Sequence, residues 1–215
     1  VGRFRNFLGY DRQWQETTGS EDSHGRALWA LGTVLGHSAD TGLRGASGQL
    51  FEAAVPATLT FTSPRAWAFS VLGMQGYLDG FPGDRIIQGT RNLLANRLLD
   101  LYERTHSRDW RWFEKSLAYS NARLSQALIL AGWNGRKKRM IDVGCESLQW
   151  LVAGGAVVLA ALLALGIRRP TTGAAALAVC ALLLAGWAYA DAGLGWRGGV
   201  RLLHLTAFTL WLGGA

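Results

Sequence analysis

The 215-residue sequence predicts an all-α protein in which about three αα-hairpins precede two to three transmembrane helices. Apolar residues recur at helical spacing from Ser20 to Trp150, and no stretch alternates as a strand does. The composition then changes, because residues 151–215 hold only four of the 22 Lys+Arg and one of the 15 Asp+Glu. We therefore divide the sequence into a helical-hairpin domain, residues 1–150, and a membrane-helix segment, residues 151–215.

Three of the predicted helices have clear start signals. Ser20 precedes two acidic residues, and a hydroxyl cap with carboxylates in the first turn favours a helix over 20–36. A serine followed by Pro64 opens a helix over 63–80, since proline suits the first helical position. An aspartate begins a helix over 83–104 with one broad apolar face.

The other three helices are predicted from apolar spacing alone. They are expected at about 48–61, interrupted at Pro56, then at about 118–131 and at about 136–150. Short links rich in Gly, Pro, Ser and Asp join the six helices, so consecutive helices are expected to pack as hairpins.

The segment after residue 150 contains three apolar runs, of which the first two are uncharged. The runs at 151–167 and 174–190 are 17 residues long, near the lower limit for a bilayer crossing, and a third occupies 200–215. A buried hairpin in a soluble core is the alternative. The basic run 136–139 suits an anionic lipid surface, and we expect no nucleic acid because the other arginines are scattered.

The two ends and the junction raise a question of completeness. The sequence begins at Val1 and stops inside an apolar run, so we expect it to be part of a longer protein. The change near residue 150 lacks the polar linker that usually separates domains. A non-functional fusion of two partial reading frames is therefore one of the hypotheses.

The first candidate site is the segment that starts the first helix. Glu21 and Asp22 are candidate acid, base or sugar-hydroxyl acceptors, and His24 and Arg26 lie within the next turn. The alternative is a capped helix start with a local Asp22–Arg26 ion pair.

The second candidate site lies in residues 109–123. Trp112 offers an indole on which a sugar ring can stack, while Glu114, Tyr119 and Asn121 offer partners for sugar hydroxyls. Aromatic residues at this spacing are also typical of a helical core. Trp112 could therefore lie either in a sugar site or in the core.

Two strings in these segments, YDRQW…GSEDSHGRALWALG and DWRWFEKSLAYSNARLSQALILAG, carry a resemblance. Residues 3–150 resemble the helical-toroid domain of bacterial glycosyltransferase-associated and six-hairpin glycosidase-like proteins. The resemblance implies a ring of αα-hairpins around a funnel that contacts sugar. A full toroid has about six hairpins, so a second half is expected to be missing. The residues that the resemblance places at the funnel are Asp11, Glu21, Asp22, His24, Arg26, Trp112, Glu114, Tyr119 and Asn121.

If the domain is a glycosidase, two carboxylates must lie about 5–10 Å apart across the sugar. Glu21 or Asp22 together with Glu114 is the predicted catalytic pair. No cofactor is expected for the helical domain.

A separate candidate is His204, which lies in the third apolar run. A histidine within a membrane helix is a candidate functional residue, and copper or haem is its expected ligand. The string RLLHLTAFTLWLGG is weakly similar to a helix of copper-resistance-type membrane proteins. The alternative is a histidine at the membrane interface.

The sequence thus predicts a carbohydrate-active or glycan-binding helical domain that is tethered to a membrane, with catalysis undecided. Its expected partners are a glycan and a lipid bilayer. The side of the membrane on which residues 1–150 lie is undecided. The alternative is a multi-helix membrane protein that handles copper or haem through His204.

Overall fold

A computed structural model describes residues 2–164, with side chains through residue 158. This part of the chain is helical, apart from loops and one isolated β-bridge between Leu8 and Trp14. The α-helices are α1 Glu21–His37, α2 Thr41–Ala54, α3 Pro64–Gly80, α4 Arg85–Thr105, α5 Ala122–Gly135 and α6 Lys138–Ala164. A 3-10 helix, Val55–Thr60, follows α2 directly.

The starts of α1, α3 and α4 confirm the predictions that were based on helix caps. The Ser20 side chain accepts a hydrogen bond from the backbone N–H of Ser23. This N–H belongs to the first turn of α1, where N–H groups have no partner within the helix. Ser63 caps α3 in the same way, and the Asp84 carboxylate accepts from two backbone N–H groups of α4. These caps depend only on neighbouring residues, so the sequence is enough to predict them.

The bounds of α2 and α5 differ from the prediction. Helix α2 starts at Thr41 because the Asp40 side chain caps it, and the 3-10 helix that contains Pro56 follows where an interruption was expected. Helix α5 starts only at Ala122, because the Asn121 side chain bonds both the N–H and the carbonyl of Ala118 and holds residues 118–121 in a turn.

Helix α6 also differs from the prediction, since it continues without a break from Lys138 to Ala164. One segment of the described chain, Lys138–Val158, is long and apolar enough to cross a membrane by length and composition. The predicted spans at 174–190 and 200–215 lie outside the described residues.

The chain divides into two units, Val1–Leu148 and Gln149–Ala215. The first unit contains α1 to α5 and the beginning of α6. Residues Met140, Val143 and Ser147 of α6 are buried within it. In the second unit, the described residues are the later turns of α6, with Val157 and Val158 exposed.

In the first unit, helices α1, α3 and α5 run parallel and each pairs with the antiparallel helix that follows it. Helix α3 is central, because it contacts α1, α4 and α5 and contains much of the core. The contacts that set the antiparallel directions are His24–Ala54 and Leu35–Gly48 for α2, Arg91–Gln75 and Arg97–Phe61 for α4, and Gly132–Met140 and Gly144–Ile129 for α6.

Helices α1 and α3 approach each other through glycines. A Cβ atom on Gly32 would overlap the Gly73 carbonyl, and one on Gly36 would overlap the Gly76 carbonyl. The two backbones are therefore in direct contact, which no other residue type permits at these positions. This packing brings the N-terminal ends of α1 and α3 side by side.

Candidate functional site

Polar side chains from three helix starts meet at the N-terminal end of the parallel helices. We call six residues the N-terminal cluster, because hydrogen bonds connect α1, α3 and the loop before α5 through them. The cluster consists of Asp22, Arg26, Arg65, Glu114, Tyr119 and Asn121.

Arg65 lies at the centre of the cluster, and its side chain is only 6% exposed. Its Nη1 atom donates to both Glu114 carboxylate oxygens, at 2.9 and 2.7 Å. Its Nε atom donates to the Tyr119 carbonyl at 2.6 Å, and Nη2 donates to Asn121 Oδ1 at 3.1 Å. One buried guanidinium therefore holds the whole segment before α5 against the start of α3.

Asp22 links α1 to the same segment. Its Oδ2 atom accepts from Arg26 Nε at 2.7 Å, and its Oδ1 atom accepts from the Tyr119 hydroxyl at 2.8 Å. Burial raises the pKa of Tyr119, and the hydrogen bond to Asp22 and its negative charge raise it further. Tyr119 therefore acts as a hydrogen-bond donor near neutral pH.

Arg26 adds a partly exposed cation to the cluster. Its guanidinium lies 4.3 Å from the Phe69 ring centre and donates to Ser120 Oγ at 3.3 Å. One turn further along, the Arg123 guanidinium lies 4.4 Å from the Trp29 ring centre. Burial, and then the charge of Arg26, lower the pKa of Arg123 to about 10.

Glu21, the other predicted catalytic carboxylate of α1, has a different role from Asp22. Its Oε2 atom accepts from the backbone N–H groups of Thr62 and Ser63, at 2.9 and 2.8 Å. Glu21 thus joins α1 to the start of α3, where backbone donors are otherwise unpaired.

Three predicted site residues lie elsewhere. His24 is fully buried, where Nδ1 accepts from the Phe4 N–H and Nε2 pairs with the Ala54 carbonyl, so burial lowers its pKa. Trp112 is also fully buried and packs edge-on against Phe113. Asp11 is exposed in the N-terminal turn, where its carboxylate accepts from the Gln13 N–H. None of these contacts involves the cluster.

No group of three or more potential metal ligands occurs in residues 2–164. His204 lies outside the described part of the chain, so the copper or haem prediction stays a prediction.

Sequence reasoning missed Arg65, although it contacts three of the predicted residues. Its local signal is weak, because an arginine directly after Ser63 and Pro64 is indistinguishable from a solvated residue in a first helical turn. Its partners Glu114 and Asn121 lie about 50 positions later in the chain. Only the packing of α3 against the segment before α5 brings them to Arg65.

In chemical terms, the cluster offers acceptors, donors and an exposed aromatic ring in one place. Both oxygens of Asp22 and of Glu114 already accept hydrogen bonds, and each oxygen keeps a second lone pair. This arrangement suits the recognition of hydroxyl groups. Comparison with known proteins adds nothing, since no family model, curated protein or solved structure matches the chain.

Proposed function

We propose that residues 1–148 form a glycan-binding helical domain whose N-terminal cluster contacts the sugar. The supporting observation is that five of the residues implicated by the resemblance, from segments about 90 positions apart, meet around Arg65. Tyr119 is 53% exposed, and the part of its ring that Arg65 and Arg26 leave open offers a surface against which a sugar can pack. Carboxylate and amide oxygens beside it accept sugar hydroxyls.

The proposal favours binding over hydrolysis. A glycosidase needs one carboxylic acid that protonates the leaving oxygen and a second carboxylate that acts as base or nucleophile. Here Arg65 engages both oxygens of Glu114, and Arg26 engages Asp22. Glu21 is committed to the backbone of α3. Carboxylates held in this way are suited to accept hydrogen bonds from a ligand.

We also propose that the three hairpins are half of a helical toroid. In support, α1, α3 and α5 are parallel and adjacent, and α2, α4 and α6 return antiparallel, as inner and outer helices of such a ring would. A second half would then extend the sugar site beyond the N-terminal cluster.

A membrane tether completes the proposal. The first turns of α6 are unsuited to cross a membrane, because Glu146 pairs with Arg111 and Val143 is buried in the first unit. A tether therefore begins after residue 148, where residues 149–164 of α6 are uncharged. We propose that this segment holds the glycan-binding domain at a bilayer.

The test is a glycan array probed with the detergent-solubilised full chain, followed by calorimetric titration of a glycan that binds. Asp22→Asn and Tyr119→Phe are expected to weaken binding about tenfold each, since hydrogen bonds to charged groups contribute about 1.5–3 kcal/mol. The matched controls are Asp142→Asn, which removes a carboxylate that pairs with Lys138, and Tyr10→Phe, at a fully exposed tyrosine.

Two results would contradict the proposal. One is the absence of saturable binding to any glycan on the array. The other is equal weakening by the cluster variants and their controls. Release of reducing sugar from the bound glycan would instead replace a binding function by hydrolysis, and Glu114→Gln would then be expected to abolish it.

A further inference from the structure

A cavity of about 700 Å³ lies in the half of the first unit that contains the C-terminal ends of α1 and α3. Residues of α2 form one wall, and residues of α3, of the link to α4 and of the first turn of α4 form the other. Small-molecule sites typically have volumes of about 300–1,000 Å³. The N-terminal cluster does not contribute to its lining, so the cavity is a separate feature.

Two glycines of α2, Gly45 and Gly48, line the cavity. A Cβ atom on Gly45 would meet no other atom within 4 Å, and one on Gly48 would meet only Leu35, at 3.7 Å. Unlike the glycines between α1 and α3, these two leave space unfilled. Side chains could therefore be added here without displacing the backbone.

A ladder of three aromatic rings lines this space. Phe51 stacks on Tyr77 with ring centres 5.0 Å apart, and Tyr77 stacks on Phe81 at 4.8 Å. The ladder runs from the core to the surface, because Phe51 is 2% exposed and Phe81 is 37% exposed. Aromatic faces attract cations as well as apolar groups. A cation of the protein already occupies one such position, since the Arg44 guanidinium lies 5.6 Å from the Phe81 ring centre.

The charges of the lining favour a cationic guest. Two carboxylates, Glu52 and Asp84, face the cavity against one guanidinium, Arg44. The Asp84 carboxylate accepts from the Tyr77 hydroxyl at 3.0 Å and from the start of α4. Glu52 is exposed, and within residues 2–158 its carboxylate forms no ion pair.

The tyrosine at the centre of the ladder responds to these carboxylates. Burial raises the pKa of Tyr77, and the hydrogen bond and negative charge of Asp84 and the charge of Glu52 raise it further. The wall beside Tyr77 is therefore electronegative as well as aromatic.

We propose that this cavity binds an organic cation with a flat apolar body, which packs against the exposed Phe81 end of the aromatic ladder and places its positive charge beside Glu52. Aromatic rings are a common environment for organic cations, and Glu52 adds a negative charge beside them. This inference is independent of the glycan proposal, because the two sites share no residue.

The test uses thioflavin T, a planar monocation whose fluorescence rises when it is immobilised. It is titrated into the full chain in nanodiscs of zwitterionic lipid, with empty nanodiscs subtracted. The uncharged analogue that lacks the ring N-methyl group is titrated in parallel. We expect saturable one-to-one binding, about tenfold tighter for the cation than for the neutral analogue, because a partly desolvated cation–aromatic contact gives an effect of this order.

Glycine substitutions locate the binding. Gly45→Phe puts a bulky ring into the cavity and is expected to abolish the fluorescence rise, whereas Gly45→Ala retains it. The matched control is Gly89→Phe, at an exposed helical glycine of α4 that also has nothing within 4 Å and does not line the cavity. Retained binding in Gly45→Phe, or equal loss in Gly89→Phe, overturns the assignment.

A second pair of variants avoids any effect on packing. Glu52→Lys reverses a charge at an exposed position and is expected to remove the preference for the cation, while Glu52→Gln weakens binding about threefold. Asp100→Lys makes the same charge change on the exposed side of α4 and is expected to have no effect. A neutral analogue that binds as tightly as the cation overturns the proposed ligand class.

Discussion

Glycine has opposite consequences on the two sides of α1. On the side of α3, Gly32 and Gly36 remove all space between two backbones, so that carbonyl groups lie where a Cβ would be. On the side of α2, Gly45 and Gly48 line a cavity of about 700 Å³. The same residue type thus lies at a close helix–helix contact in one place and beside an open cavity in the other.

The difference arises from what lies opposite each glycine. Gly32 faces Gly73, so the two helix backbones touch at positions where neither helix has a side chain. Gly45 lines the cavity, and nothing lies within 4 Å of the place where its Cβ would be. A small residue therefore favours close packing only where the residue opposite it on the partner helix is small as well. Four predictions follow in order of decreasing effect, and the first and the last of them test this comparison.

Gly32→Ala is expected to destabilise the first unit most, by about 4 kcal/mol or more. Overpacking usually costs about 1–3 kcal/mol, but here the atom in the way belongs to the Gly73 backbone, which cannot rotate aside. Urea unfolding followed by circular dichroism measures the change. An unfolding free energy within about 1 kcal/mol of the wild type would show that α1 and α3 separate easily.

Arg65→Met is expected to destabilise by about 3 kcal/mol, because it leaves the partly buried Glu114 carboxylate without its partner. The same urea experiment measures it. Arg26→Met is the control, because the Arg26 side chain is 44% exposed and surface pairs contribute at most about 1 kcal/mol. Equal effects of the two substitutions would contradict a central role of Arg65 in joining α3 to α5.

The third prediction concerns pH. Burial lowers the pKa of His24 below its value in the unfolded chain, so folding favours the neutral ring. Its contribution to stability is complete above about pH 6.5 and decreases as the pH falls toward the lower folded-state pKa. Melting temperatures at pH 7.5 and 5.5 are expected to differ less in His24→Gln than in the wild type. An unchanged difference would exclude His24 as the titrating group.

Gly45→Ala is expected to have the smallest effect and the opposite sign to Gly32→Ala. Nothing lies within 4 Å of the added methyl group, and alanine favours a helix over glycine by about 1 kcal/mol. Urea unfolding should therefore show a gain of up to about 1 kcal/mol. A loss would mean that α2 needs the glycine, and the comparison between the two sides of α1 would fail.

Local features of the fold were predictable from the sequence. Ser20, Ser63 and Asp84 cap the helices that follow them, and Pro56 ends α2, because capping and proline effects involve only adjacent residues. The start of α2 was missed, since a stretch with Gly42, Gly45 and Gly48 has a low intrinsic preference for a helix and is stabilised by its tertiary contacts.

The candidate site was predictable only as two separate segments. Residue types singled out Asp22 and Arg26 in one segment and Glu114, Tyr119 and Asn121 in the other, because carboxylates, amides and aromatic rings are chemically suited to sugars. Those types do not indicate burial, so His24 and Trp112 were grouped with them although both are inside the unit. Burial depends on which side of helix α1, for His24, or of the loop before α5, for Trp112, packs against the rest of the unit.

The sequence by itself determined the all-α character, the caps and the chemistry of the two site segments, because each depends on residues within a few positions of one another. The tertiary structure alone decided that Arg65 joins the segments, that glycines on α1 and α3 interlock and that those on α2 leave a cavity. These features depend on distances between residues of different helices or loops, which lie far apart in the sequence, and such distances are set by packing.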